Sequence, residues 1–231
     1  MNLLIYSLLT MAVFGAFQKL YNWKKWPVLN PLFWSITTLI AFILISEVDY
    51  EVYRQNTQVI SFFLGPATVV LAVPLYRQRQ LLKTYWLPII LGIGFSVIVS
   101  ALSITFFSVI FNLGSLLHLS LLPKSLTTPI GISLSADIGG IPALTVISII
   151  ITGIAGAILS PFFLGLAKIK HPVAKGIAIG ASSHVVGTTK AIELGEVEGA
   201  MSSLSIALAG IMTYFFIPPY LILLQHFIVL K

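Results

Sequence analysis

The stretch ASSHVVGTTKAIELGEVEGA, residues 181–200, sets a histidine, a lysine, four hydroxyls and three glutamates between two strongly apolar runs. Whether it crosses a membrane, lines a path through one or lies outside decides how the rest of the chain is read. The surroundings settle the first part. Of 231 residues, 58% are hydrophobic and 9% charged, against roughly 25% charged in soluble domains. Apolar runs close to the roughly 20 residues needed to cross a bilayer recur along nearly the whole length, leaving no room for a soluble catalytic domain.

The expected fold is an all-α polytopic membrane protein forming a single transmembrane domain over residues 1–231. Candidate spans are 3–19, 31–46, 58–76, 86–112, 116–136, 138–167, 172–192 and 199–229, giving seven or eight membrane segments. Runs this apolar, without period-two alternation, exclude a β-barrel. The first run lacks a basic n-region and a cleavage pattern, so it reads as a mature helix rather than a signal peptide. Trp23, Trp26, Trp34 and Trp86 sit near predicted span ends, as interfacial anchors do.

Charge sets the expected orientation. Lys19, Lys24 and Lys25, then Arg77, Arg79 and Lys83, then Lys168, Lys170 and Lys175 cluster in short loops, which places those loops in the cytoplasm. The net charge of +6 therefore orients a membrane protein and points away from nucleic acid. The acidic loop after residue 46 and the run Glu193, Glu196, Glu198 fit the outer side, with the amino terminus outside and Lys231 inside. One conflict remains: a full crossing by 116–136 would put Lys168–Lys175 outside. It disappears if 116–136 is re-entrant, and Pro123 and Pro129 within LLPKSLTTPIG favour such a break.

Two more segments read as interrupted at mid-membrane: 58–76, at Gly65, Pro66 and Pro74, and 172–192, at Gly180 and Gly187. By the charge rule they run in opposite directions. That is the pattern of an inverted repeat, with halves near 1–112 and 113–231; in secondary transporters such repeats bring broken helices together around substrate.

Ionisable groups at membrane depth cost a few kcal/mol each, about 2.5–3.5 on insertion scales, so each needs a reason. Lys124, beside Ser125, Thr127 and Thr128, reads as a cation meeting an anionic substrate, or as a lysine snorkelling to the interface. His184 reads as a proton relay or substrate partner, or as an interhelical hydrogen bond. With it cluster Ser182, Ser183, Thr188, Thr189 and Lys190, the most polar patch at membrane depth; Lys190 and Glu193 read first as the solvated outer end of the span. Asp137 reads as an acidic cap on the helix that follows, and Gly153 and Gly156 as sites of close helix packing. No phosphate loop, His-Glu-x-x-His site or Gly-x-Ser-x-Gly elbow is present. Ser183 and His184 are adjacent and diverge on a helix. Neither enzyme activity, a cofactor nor a metal is expected. With no cysteine, thiolate chemistry is excluded.

Four motifs carry a family resemblance: LNPL (29–32), FLGPATVVLAVPLYRQ (63–78), LLPKSLTTPIGISLSADIGGIPALT (121–145) and AKGIAIGASSHVVGTTKAIELGEVEGAMSSLSIALAGI (174–211). They resemble the LrgB/CidB family of bacterial membrane proteins over essentially the whole chain. Ser182, Val185 and Thr189 depart from the family pattern Gly-x-Ala-Ser-His-Ala-x-Gly-Thr-Ala, each standing where it has alanine, while Gly180, His184 and Gly187 keep their places. The resemblance implies two activities. One is antiholin-like regulation of murein hydrolases and lysis with a small holin-like LrgA/CidA partner. The other is carriage of small carboxylates such as pyruvate, glycolate or lactate across the bacterial cytoplasmic membrane, as in a related plastidial glycolate/glycerate translocator. The residues themselves, embedded cation, imidazole and hydroxyls on broken helices, favour a carrier. Oligomeric state is open, self-association included.

Overall fold

The computed structural model describes residues 5–24, 29–63, 66, 69–70 and 72–227. The chain divides into two compact units, residues 1–72 and 73–231.

In the first unit, α1 (Ile5–Lys24) and α2 (Pro31–Ile45) pair through Phe17 and Trp34, whose rings stack at 6.4 Å. Asn30 starts α2: its Oδ1 accepts from the amides of Leu32 at 3.0 Å and Phe33 at 3.1 Å, and Pro31 at the first turn needs no partner for a missing N–H. Asp49 caps the short α3 (Tyr50–Asn56) in the same way. There Arg54 hydrogen-bonds Glu51 and holds its carboxyl below the usual range. α4 (Gln58–Phe62) follows. Of the expected breaks here, Gly65 lies outside the described residues and Pro66 is helical. Pro74 lies within α5 (Ala72–Arg77), where the second unit begins.

The second unit is built on three long helices, α6 (Arg79–Ile110), α9 (Pro142–Leu166) and α11 (Glu196–Phe227). Among the described residues these three are long and apolar enough to cross a membrane. Their side-chain distribution inverts that of a soluble protein. Phe95, Leu91, Phe106 and Phe215 are more than 60% exposed, while Ser108, His118, Ser120, Ser135, Thr145, Ser202 and Ser205 are at most 1% exposed. Small and hydroxylated residues let helix backbones approach closely, and the large apolar groups face lipid. α6 shows it in one stripe: Ile89, Ile93, Val97, Ala101 and Thr105, four residues apart, are buried. That stripe runs parallel to α11, since Ile89 and Ile93 meet Ala200, Met201 and Ala209, whereas Ala101 and Ile104 meet Ile217.

Between these helices lie two hairpins. Hairpin 1 joins α7 (Ser115–Leu121), a 3₁₀ turn (Leu122–Ser125) and α8 (Thr128–Asp137). Leu126 and Thr127 are extended, as expected before Pro129, and the chain doubles back there. Ser120 Oγ accepts from the amide of Ile141 at 2.8 Å, and a side chain at Gly131 would meet the Pro123 carbonyl, so the two arms run antiparallel. The expected re-entrant reading of 116–136 agrees with this. Asp137 corrects an expectation. It is the last residue of α8, which Gly139 closes at φ 81° as the Gly140 amide bonds the Ser135 carbonyl at 2.7 Å, a left-handed glycine stop. Its carboxylate accepts from Tyr214 at 2.8 Å.

Hairpin 2 is α10 (Pro172–Leu194), which the sequence suggested would cross. At 1.5 Å per residue Ile179 and Ala191 of a straight helix would stand about 18 Å apart, yet with Leu164 they form one buried cluster. The chain reverses at His184, φ 41° and ψ −137°. Gly176 lies against Glu198 and Met201, and Gly199 against Ile192, so both arms share the first turns of α11. Glu196 consequently lies 4.0 Å from Arg77. Tyr85 and His171 meet edge to face at 5.3 Å, which brings the Arg77–Lys83 and Lys168–Lys175 segments to one basic end. The glutamates after Ile192 share that end rather than the opposite one, and α11 runs from it toward the end where α6 stops, the reverse of the direction expected for the last span.

Candidate functional site

The hairpins enter from opposite ends and their turns meet in the middle of the second unit. The reversal of hairpin 2 rests on three residues. His184 adopts a positive φ, a conformation that costs a side-chain-bearing residue of order 1–3 kcal/mol unless its surroundings enforce it. The enforcement is visible: the ring is 3% exposed, and Nε2 lies 3.0 Å from the carbonyl of Ile149 on α9, so Nε2 carries the proton and donates. On the inner side of the turn, Thr188 Oγ1 donates to the His184 carbonyl at 2.9 Å and lies 2.7 Å from Ser202 Oγ.

α9 supplies the seat. A methyl at Gly153 would fall 2.7 Å from the His184 ring, and one at Gly156 would collide with Ser183 Oγ. These glycines are packing residues as the sequence suggested, but what they admit is the turn of hairpin 2. Gly180 packs directly on the Ser202 backbone, and Gly187 on Ser183 and Ile179, so the glycines expected to break the helix instead let its two arms and α11 come together.

A cleft of about 330 Å³ opens between α9 and the first arm of hairpin 2. It extends from Phe163 and Leu164, near the basic end, to Thr152 and Lys124. Lys124 projects into it from the 3₁₀ turn of hairpin 1, facing Ser182 and Ser183 of hairpin 2. Among the described residues its ammonium has no ion-pair partner. Ser160 Oγ, also on the wall, is buried without a hydrogen bond. Ser182 shares a 3.0 Å contact with Ser183 Oγ. The cleft thus brings one lysine without an ion-pair partner together with hydroxyls of α9 and hairpin 2, and ionisable groups at membrane depth are costly.

Of the residues singled out in the sequence, Lys124, Ser182 and Ser183 therefore converge, with His184 buried behind them as a positioning residue. Ser125, next to Lys124, turns away to Ser100 Oγ at 3.1 Å. Thr127 and Thr128 begin α8 and do not line the cleft. Thr188 locks the turn, and exposed Thr189 bonds its own helix at Val186. Lys190 pairs with Glu193 at 2.7 Å on the returning arm, one to two turns beyond the cleft-lining residues. Thr152, Gly156 and Ser160 were missed; α9 reads as a uniform apolar span, and only its small residues on one face hint at a wall. No three His, Asp or Glu side chains gather as a metal site among the described residues.

Comparison with known proteins adds a family. The model of the LrgB-like family matches residues 10–223. The chain is 38% identical over 215 residues, 93% of its length and 94% of the relative's, to the uncharacterized protein YxaC of Bacillus subtilis (strain 168). It is 36% identical over 198 residues, 86% of each chain, to the antiholin-like protein LrgB of Bacillus cereus (strain B4264), with the same figures for a Bacillus anthracis protein of that name. No solved structure matches.

Proposed function

The chain belongs to the LrgB-like family, and from that premise we propose that it carries small monocarboxylates such as pyruvate, glycolate or lactate across the bacterial cytoplasmic membrane. The observation that carries the reading is the unpaired Lys124 at the floor of the cleft. The carboxylate pairs with its ammonium and accepts from the Ser182 and Ser183 hydroxyls once it displaces the bonds of Ser182 Oγ to the Ala178 carbonyl at 2.7 Å and to Ser183 Oγ at 3.0 Å, while the lysines at the basic end raise the local anion concentration at the mouth. His184 holds the turn that presents the serines. The basic end faces the cytoplasm, so the cleft is open inward and α11 ends outside.

Eight membrane segments fit this scheme: three before residue 78, the three long helices, and the two hairpins. Residues 79–140 and 142–194 each comprise a long helix followed by a hairpin and run in opposite senses, which supports an inverted repeat within the second unit in place of halves divided near residue 112.

The test is uptake of labelled pyruvate, glycolate and lactate into proteoliposomes, with and without a pH gradient, with the protein alone and with a small LrgA/CidA-like partner. Lys124→Ala is expected to lower uptake by about a hundredfold or more, the scale of about 3 kcal/mol for an unmade buried charge pair. Normal uptake by correctly inserted Lys124→Ala would overturn the site.

The relatives' name supports a second reading, an antiholin-like regulator of murein hydrolases that assembles with that partner and transports nothing. Wild-type protein that binds the partner yet moves no carboxylate under either gradient would favour it. Substitution of Gly153 or Gly156 would not separate the two readings, because these glycines seat His184 and Ser183.

A further inference from the structure

Directly beside Lys124, the 3₁₀ turn of hairpin 1 faces a second, much smaller space. Ser125 lines it together with Ser96 and Ser100 of α6 and Thr213 of α11, and apolar residues including Leu122, Ala181 of hairpin 2 and Ile217 complete the wall. Its volume is about 10 Å³, room for one water-sized particle. Four hydroxyls from three separate elements converge there. Thr213 is 5% exposed, and among the described residues neither its hydroxyl nor that of Ser96 makes a hydrogen bond. Buried neighbours behave otherwise: Thr105, Ser203 and Ser205 each donate to the carbonyl four residues back.

We infer that the Ser96–Ser100–Ser125–Thr213 cavity is a binding site for a monovalent cation, with Na⁺ the best-fitting ion. Three features select that chemistry. The donors are hard oxygens, which suit alkali and alkaline-earth cations rather than transition metals. No carboxylate lines the cavity, and divalent Ca²⁺ or Mg²⁺ sites need carboxylate charge to offset dehydration. No titratable side chain lines it either, so a proton has no group to occupy. The negative charge comes from the backbone: the first arm of hairpin 2 ends beside Ala181, and α7 with its 3₁₀ turn ends at Ser125. Two helix carboxyl ends therefore lie next to residues of the lining, and such ends carry partial negative charge.

The placement rests on the carrier reading for its consequence, though not for its existence. Lys124 and Ser125 are consecutive, one facing the anion cleft and one the cation cavity. A vacant cleft leaves the ammonium to repel a nearby cation; a carboxylate on Lys124 removes that repulsion. Anion and cation then bind with positive coupling, each raising the other's affinity by the same factor.

The experiment is binding of ²²Na⁺ to the purified full-length protein by scintillation proximity, with thermal unfolding in NaCl, KCl and choline chloride at constant ionic strength. Expected are saturable Na⁺ binding and stabilisation absent with choline and weaker with K⁺, and a loss of affinity of at least about tenfold in both Thr213→Val and Ser125→Ala, or about 1.4 kcal/mol. Pyruvate should tighten Na⁺ binding in the wild type, whereas Lys124→Ala should bind Na⁺ more tightly than wild type without pyruvate and show no pyruvate effect. No saturable Na⁺ binding by the wild type, or unchanged affinity in Ser125→Ala and in folded Thr213→Val, would overturn the cation site. Uptake that is proton-driven by protein showing no saturable Na⁺ binding would sink this inference while leaving the carrier standing; Na⁺ binding lost in Ser125→Ala without any carboxylate uptake would do the reverse.

Discussion

Hairpin 1 is fastened to its surroundings through polar side chains, hairpin 2 through glycine. Behind hairpin 1, Thr105 Oγ1 lies 3.0 Å from His118 Nε2 and 2.6 Å from Tyr220 Oη, tying α7 to α6 and α11. Thr145 Oγ1 donates to the Ser120 carbonyl at 2.7 Å and lies 2.7 Å from Ser135 Oγ. Among the described residues hairpin 2 has one such contact to α9, His184 to Ile149, and one to α11, Thr188 to Ser202; otherwise its backbone lies directly on its neighbours at Gly176 and Gly180. A hydrogen-bond clamp yields a little when one bond is lost. A glycine seat has no such give, because the obstacle to an added methyl is another backbone.

The largest expected effect tests that difference. Gly180→Ala places a carbon against the Ser202 carbonyl, which has nowhere to move, whereas Gly131→Ala in hairpin 1 first meets the Ile149 Cδ1 methyl at 2.5 Å, the far end of a flexible side chain. Overpacking of this kind costs about 1–3 kcal/mol, and Gly180→Ala should stand at or above the top of that range, with Gly131→Ala near its bottom. Thermal unfolding of the two purified variants measures it. Equal losses would erase the distinction between seat and clamp.

The turns themselves differ in backbone strain. His184 is held at positive φ, but the turn of hairpin 1 at Leu126 lies at φ −99° and ψ 167°, where any residue is comfortable. His184→Ala and His184→Gly both lose the bond to Ile149, yet only glycine releases the strain, so the glycine variant should be the more stable by roughly 1 kcal/mol or more. At Leu126 the order should invert, because glycine there gains nothing and adds chain entropy to the unfolded state. The same pair at His184 separates folding from function: a stable His184→Gly with impaired uptake would show that the imidazole positions the serines. A smaller loss is expected in the clamp, where Tyr220→Phe removes one bond to Thr105 and should cost about 0.5–1.5 kcal/mol.

How much of this was legible beforehand follows the same division. Prolines and extended residues are local signals, so the break at 122–127 and the re-entry of hairpin 1 could be read from Pro123 and Pro129. The fold-back of hairpin 2 could not. Gly180 and Gly187 flagged a break, but the reversing residue is His184, whose conformation depends on a carbonyl 35 residues away; no local pattern in GASSHVVGTTK distinguishes a kinked crossing from a hairpin. The error spread outward, carrying the glutamates after Ile192 and the end of α11 to the wrong ends. Lys124, Ser182 and Ser183 stand out in the sequence because charge and hydroxyls at membrane depth need a reason, and they line one cleft, while its walls from α9 are hidden among small residues that look like packing.

The smallest expected effect concerns a second lysine. Lys190 and Lys124 looked alike in sequence, each a cation beside hydroxyls in a broken segment, and they differ in what faces them. Lys190 reaches Glu193 one turn along the returning arm at 2.7 Å, with the pair 28% and 48% exposed; ion pairs of this kind contribute about 0–1 kcal/mol. Lys190→Gln should therefore leave carboxylate uptake within about twofold of wild type and stability within about 0.5 kcal/mol. A loss of uptake comparable to that of Lys124→Ala would mean that the substrate path continues along the returning arm of hairpin 2 to the basic end, making the lysine on that arm a stage in the passage rather than a solvated end.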